Sequence, residues 1–120
     1  MKYVYPAVFT WHESEKIYSV KFPDADNWFT DGYSLAEAIE YATEILNVML
    51  CDAEECGDPI PKPSKSEDIK LDDKNSFVQY IYADTELYKE ILHLKKILNM
   101  KKRAKAKRFG RPTKRTGVSL

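Results

Sequence analysis

Ser34 followed three residues later by Glu37, at the head of the run SLAEAIEYATEILNVML, constrains this chain more than any other feature. In such a capping box each side chain satisfies a backbone donor that a helix start would otherwise leave unpaired. From that start Leu35, Ala38, Ile39, Ala42, Ile45, Leu46, Met49 and Leu50 recur at helical spacing, with Glu37, Glu40, Thr43, Glu44 and Asn47 between them. A lone helix of this length is marginal in water, so its apolar stripe needs a cover. The β-rich segments on either side supply one, and the expected architecture is a sheet carrying one helix.

Residues 3–9 (YVYPAVF) and 17–22 (IYSVKF) alternate aromatic and β-branched residues with period two and read as strands joined through WHESEK. Pro6 cannot donate to a ladder, so an irregular first strand is expected. Pro23 to Asn27 is turn chemistry, and residues 28–30 (WFT) leave room for a short third strand before Asp31-Gly32 turns the chain into the helix. Beyond the helix, GDPIPKPS and the charged run to Lys74 form a long exposed connection. Residues 77–83 (FVQYIYA) are apolar on both alternating faces apart from Gln79, the pattern of a strand covered on both sides or placed centrally, and it is expected beside the first strand. Asp84 can then cap a second helix, whose Leu87, Ile91, Leu94 and Leu98 form a narrow stripe suited to docking or to pairing with another copy. The fold class is thus α+β, in the order βββαβ with a second helix and a basic tail.

The chain has 120 residues, 43% hydrophobic and 12% aromatic, enough for one domain with a real core plus a tail. No run approaches the roughly 18 apolar residues of a membrane span, and the start MKYVYPAVF lacks the layout of a signal peptide, so a cytoplasmic protein is expected. Cys51 and Cys56 lack the spacing partners of a zinc site and, five apart, do not share a helix face; they read as reduced thiols. Neither a metal nor another cofactor is expected. The formal charge of zero conceals a division: residues 1–99 carry 10 Lys+Arg against 19 Asp+Glu, whereas residues 100–120 carry 9 Lys+Arg and no acid. An acidic body with a basic tail suits either two partners of opposite electrostatic character, one of them polyanionic, or a tail that folds back onto its own acidic body.

Five fragments in order carry a family resemblance: Tyr5-Pro6-Ala7; Tyr18-Ser19-Val20 with Phe22-Pro23-Asp24; Thr30-Asp31-Gly32; Leu35-Ala36-Glu37-Ala38; and Ile60-Pro61-Lys62-Pro63-Ser64. Together they resemble the amino-terminal domain of the HicB antitoxin family. The resemblance implies a partial ribonuclease-H-like fold without nuclease activity that masks a small mRNA-cleaving toxin, HicA. It also implies a carboxy-terminal DNA-binding module for autorepression, but residues 84–120 show neither a complete ribbon-helix-helix pattern nor two short helices around a tight turn. Lys114 to Leu120 looks like the opening strand of a ribbon with no helices after it. The domain reading is an antitoxin domain at 1–83, a helix with a possible oligomerisation stripe at 84–100 and a basic tail at 101–120.

A working two-metal nuclease centre projects carboxylates from its central strands. Residues 3–9 and 77–83 contain no Asp or Glu, so Glu37, Glu40, Glu44 and Asp84 read as a solvated helix face and a cap, and no enzyme is expected. His12 and His93 lack a nearby nucleophile or ligand spacing. For the toxin, Phe22, Asp24, Asp26, Trp28 and Phe29 combine aromatic anchors with acids that compete for cations phosphate would otherwise neutralise. Trp28 and Phe29 can equally fill the core, and alternation sends one ring in and the other out. For nucleic acid, Lys101, Lys102, Arg103, Lys105, Lys107, Arg108, Arg111, Lys114 and Arg115 supply the cations. Arg108-Phe109-Gly110-Arg111-Pro112 resembles an AT-hook, with Phe109 where that motif prefers a second arginine. The competing function is a free-standing nucleic-acid-binding regulator whose body serves for oligomerisation.

Overall fold

The computed structural model describes residues 1–108, with side chains through Arg103. Strands β1 (Lys2–His12), β2 (Ile17–Lys21) and β3 (Phe29–Gly32) lead into helix α1 (Leu35–Cys56). A single 3-10 turn at Ser66–Asp68 interrupts the connection to β4 (Ser76–Asp84), and α2 follows at Thr85–Arg108. All pairings are antiparallel and the sheet order is β3-β2-β1-β4, so the fourth strand lies beside the first as the sequence suggests. The chain divides into two units, Met1–Thr85 and Glu86 onward.

One face of the sheet carries the core. In β1 the odd residues Tyr5, Ala7 and Phe9 point to α1 and are fully buried, joined by Val20 and Phe22 from β2 and its end and by Ile81 and Ala83 from β4. The helix answers with Ala38, Ala42, Leu46, Leu50 and Ala53, a column at spacings of four and three. Two alanines at its start let the helix backbone approach the sheet closely. Leu35 and Ile39, counted in the apolar stripe from sequence, remain 40% and 37% exposed, so the covered face is narrower than that stripe. Full burial of Leu46 or Leu50 is worth about 1.5–3 kcal/mol each.

Helix α1 begins as the capping box requires, with the Glu37 N–H donating to Ser34 Oγ at 3.1 Å; the Glu37 carboxylate reaches one residue further back, to the Tyr33 N–H at 3.0 Å. It ends at Gly57, whose left-handed φ of 71° lets the N–H groups of Gly57 and Asp58 both turn back to the Ala53 carbonyl.

Two expectations change. The first strand is continuous over 11 residues despite Pro6. Its pairing with β2 stops at Val8↔Lys21, so Pro6 lies where no second ladder needs an N–H. The segment read as a strand covered on both sides is an edge strand. Only Ile81 and Ala83 of β4 are buried, while Tyr80 and Tyr82 stand 46% and 51% exposed on the face opposite α1. Apolar residues on both faces mark a strand that offers two surfaces; α1 covers one of them, and the segment after α1 reaches the other at Tyr80.

Candidate functional site

The β2–β3 turn is built by its own backbone: Ala25 N–H donates to Phe22 O at 3.2 Å, Trp28 N–H to Ala25 O at 3.3 Å, and Phe22 N–H to Trp28 O at 3.0 Å. These bonds fold Phe22 and Trp28 under the helix, where Trp28 meets Tyr5 and Phe22 edge-on at ring distances of 5.4 and 6.3 Å. Strand alternation then sends Phe29 to the opposite face, 63% exposed, in register with Lys21. One ring in and one ring out is the arrangement the alternation implied.

The five residues grouped from sequence as a toxin surface therefore separate. Phe22 and Trp28 belong to the core. Asp24 is half-buried and internally employed, its carboxylate accepting from both the backbone N–H and the hydroxyl of Ser64, 40 residues on. Asp26 and Phe29 are the two exposed members. The Asp24–Ser64 tie belongs to a strap. Tyr5 OH donates to the Pro61 carbonyl and the Ser66 N–H donates to Tyr80 OH at 2.9 Å, so the segment after α1 is fastened at three points along the sheet unit. Burial, with the Asp24 charge adding to it, raises the Tyr5 pKa.

Helix α1 carries Glu37, Glu40, Glu44, Asp52, Glu54 and Glu55 and no Lys or Arg. Acids near a helix C-terminus oppose its dipole, so Asp52 and Glu55 cost the fold stability, whereas Glu54 accepts from the hydroxyls of Tyr3 and Thr85. Two titrating groups lie against this end of the helix. Desolvation first, and then the hydrogen bond it donates to Glu54 Oε2 at 2.6 Å, push the Tyr3 hydroxyl up to about 12. The Cys56 thiol is raised chiefly by Asp52. The ligand atoms of Asp52, Cys56 and Asp58 lie within 4.8 Å of one another on the surface. A thiol held protonated by its acidic neighbours is a weak metal ligand. Neither Cys51 nor Cys56 is in a disulfide, and the Cys51 thiol donates to the Thr85 carbonyl at 3.7 Å.

His12 Nε2 lies 2.8 Å from Ser19 Oγ across the β1–β2 ladder, a hydroxyl neighbour that the sequence alone did not indicate, and His93 is exposed on α2. Glu40 and Glu44 are exposed on α1, and Asp84 ends β4 opposite Lys2. On α2, Leu87, Ile91, Leu94 and Leu98 are all exposed, as are Lys101, Lys102 and Arg103. Helix α2 runs on through Lys105, Lys107 and Arg108, past the boundary at 100 drawn from the apolar periodicity. The AT-hook-like residues 109–112, including Arg111, and the ribbon-like stretch with Lys114 and Arg115 lie outside the described residues.

The unit is thus an α+β domain in the order βββαβ, a four-stranded antiparallel sheet with one acid-rich helix on one face. The family model for a HicB_like antitoxin of bacterial toxin-antitoxin systems matches residues 4–74, and the chain belongs to that family. Among solved structures it is similar to a chain in a toxin-antitoxin complex from Streptococcus pneumoniae, with 26% identity, 73% of each chain covered and a TM-score of 0.66. A chain of a HicA3 and HicB3 toxin-antitoxin complex shares the fold at 22% identity, with 68% of this chain and 99% of that one covered and a TM-score of 0.56. So does the N-terminal domain of the Burkholderia pseudomallei antitoxin HicB, at 17% identity, 66% and 95% coverage and a TM-score of 0.57. No curated protein matches the sequence.

Proposed function

We propose that this chain is the antitoxin of a two-protein system, whose acidic unit binds and masks a small, basic, HicA-like mRNA-cleaving toxin and has no catalytic activity of its own. The observation that carries this reading is the family match over residues 4–74. The cation-free helix α1 supports it, because a helix surface with six acids and no cation suits a partner whose RNA-binding surface is positive. Asp26 and Phe29 offer an acid and an aromatic anchor on the exposed side of the β2–β3 turn, while Phe22, Asp24 and Trp28 give that turn its shape. No helix among the described residues is long and apolar enough to cross a membrane. We place the complex in the cytoplasm, where a toxin's mRNA substrate is found.

The second unit serves regulation in this reading. The Leu87, Ile91, Leu94 and Leu98 stripe of α2 pairs copies of the chain. The cations Lys101, Lys102, Arg103, Lys105, Lys107 and Arg108, continued in sequence by Arg111, Lys114 and Arg115, bind operator DNA for autorepression. Coexpression with a candidate toxin tests the main claim: failure to restore growth, together with failure to copurify, counts against it. Deleting residues 101–120 is expected to remove most DNA affinity and leave toxin capture intact. A protein that binds DNA with the usual steep salt dependence and captures no toxin is instead a free-standing regulator.

A further inference from the structure

Within the unit Met1–Thr85 no strand pairs with the outer edge of β4, and the geometry of that edge can be read from two hydrogen bonds. Trp11 N–H donates to Asn75 O at 3.2 Å and Thr85 N–H to Met1 O at 3.0 Å, so the odd residues of β1 turn their backbone groups toward β4. In the register Tyr5↔Ile81 and Ala7↔Gln79 the odd residues of β4 turn back toward β1. Alternation then aims the N–H and C=O groups of Ser76, Val78, Tyr80, Tyr82 and Asp84 away from the sheet. The same residues place their side chains on the face opposite α1, where Tyr80, Tyr82 and the adjacent Val4 are 46%, 51% and 47% exposed.

Sheet edges are ordinarily guarded by lysines, prolines, bulges or short length. The β3 edge is short, four residues with Asp31 and Gly32 in it. The β4 edge runs for nine residues, SFVQYIYAD, and has neither Lys nor Pro. We propose that β4 pairs antiparallel with β4 of a second copy about a two-fold axis through Tyr80, joining two sheets into one. In this register Tyr80 faces Tyr80 of the second copy, Val78 faces Tyr82 of the second copy, and Ser76 faces Asp84. Aromatic with aromatic and aromatic with β-branched are the pairs that stabilise antiparallel ladders. Lys74, just before the strand, comes into diagonal reach of Asp84 of the second copy, an opposite-charge contact that the axis makes twice. Between Ser76 and Ala83 the strand has no charged side chain, so nothing along it selects a basic partner as α1 does. A two-fold axis, by contrast, repeats every favourable pair. The interface is separate from the α2 stripe and does not depend on the toxin reading.

Tyr82→Pro removes an outward N–H that the β1 ladder does not use, and edge positions tolerate proline. Light scattering on the full chain is expected to show the mass falling to half that of the intact protein, with an unchanged circular dichroism spectrum. Tyr82→Lys, which keeps the N–H but guards the edge, is expected to lower the mass in the same direction at equal concentration. Register is tested with Cys51 and Cys56 replaced by serine and one new thiol added. Tyr80→Cys should link two copies through a short thiol crosslinker, since facing Cα atoms lie about 5.5 Å apart. Tyr82→Cys should link poorly, because the two sites are then offset by four residues, about 13 Å. A single-copy mass for the intact protein at tens of micromolar overturns the proposal. So does a mass that Tyr82→Pro leaves unaltered while Ile91→Asp with Leu94→Asp halves it, which assigns all pairing to α2, or a Tyr82→Pro effect confined to toxin capture, which assigns the edge to the toxin.

Discussion

Replacing Gly32 with alanine tests how closely α1 sits on the sheet. A Cβ at this position would lie 2.6 Å from Ala38 N, 2.8 Å from Ala38 Cα and 3.0 Å from Glu37 C, all atoms of the helix backbone. The obstacle cannot rotate away as a side chain would; the first turn of α1 has to lift from β3. Overpacking of this kind costs about 1–3 kcal/mol, and a rigid backbone puts Gly32 at the upper end. Loss of chain entropy in the unfolded state returns about 0.4–1 kcal/mol for glycine to alanine, so a net loss near 2 kcal/mol is expected. For a unit of this size that lowers Tm by about 8–16 °C in a thermal melt followed by circular dichroism. Gly57 is the control: it has φ 71° with nothing within 4 Å of an added Cβ, so Gly57→Ala pays only the left-handed backbone penalty of about 1 kcal/mol. A Gly32→Ala melt within about 2 °C of the parent, or a Gly57→Ala loss larger than that of Gly32→Ala, would refute the close-approach argument.

The two neighbouring rings of the β2–β3 turn should behave oppositely. Trp28→Ala is expected to cost about 3–5 kcal/mol in urea unfolding, whereas Phe29→Ala leaves stability within about 0.5 kcal/mol and weakens toxin copurification. Asp24→Ala removes both bonds to Ser64 and should speed amide exchange across residues 58–66 while leaving exchange in α1 unchanged; uniform speeding throughout the unit would contradict a local strap. Tyr3 gives an alkaline signature. Its folded pKa, about 12, lies above the ordinary value of 10, so its stabilising effect is complete below pH 10 and is lost as the pH rises from 10 through 12. Tyr3→Phe should flatten that segment of a Tm-against-pH curve, and an unchanged slope would dismiss the Tyr3–Glu54 bond as its source.

Local signals were legible where one residue's chemistry fixes one backbone event. The Ser34–Glu37 box located the start of α1, and the five spaced fragments located the family. The end of α1 was harder to see, because CDAEEC carries five acids or cysteines to one buried residue and only Ala53 continues the inward column. The WHESEK turn begins later than its sequence suggests: Trp11 and His12 stay in the ladder, where Phe9 and Trp11 face Val20 and Tyr18. Asp24 had no sequence signal for its role, since its partner Ser64 is far away in the chain and the tie exists only once the linker passes the β2–β3 turn. The apolar content of residues 77–83 was read correctly as β structure. Its placement at an edge was not, because periodicity reports which faces want cover and is silent on whether the chain itself provides it.

The pairing of β1 with β4 has a consequence for the order in which this molecule can come into being. The register runs from Lys2↔Asp84 to Thr10↔Ser76, so the first strand made waits for the last strand of the unit. During synthesis, β1, β2, β3 and α1 have all left the ribosome while Tyr5, Ala7 and Phe9 still lack the neighbour that completes their ladder. Such distant pairing closes slowly, because the intervening chain must be ordered before the contact returns any free energy. A transcript cut before the codon for Ser76 therefore yields a chain with β1 open along its length, exposed to proteases and without the second edge on which the sheet depends. In the proposed antitoxin role, toxin capture is then expected only from chains that extend through residue 84, and not from shorter amino-terminal fragments.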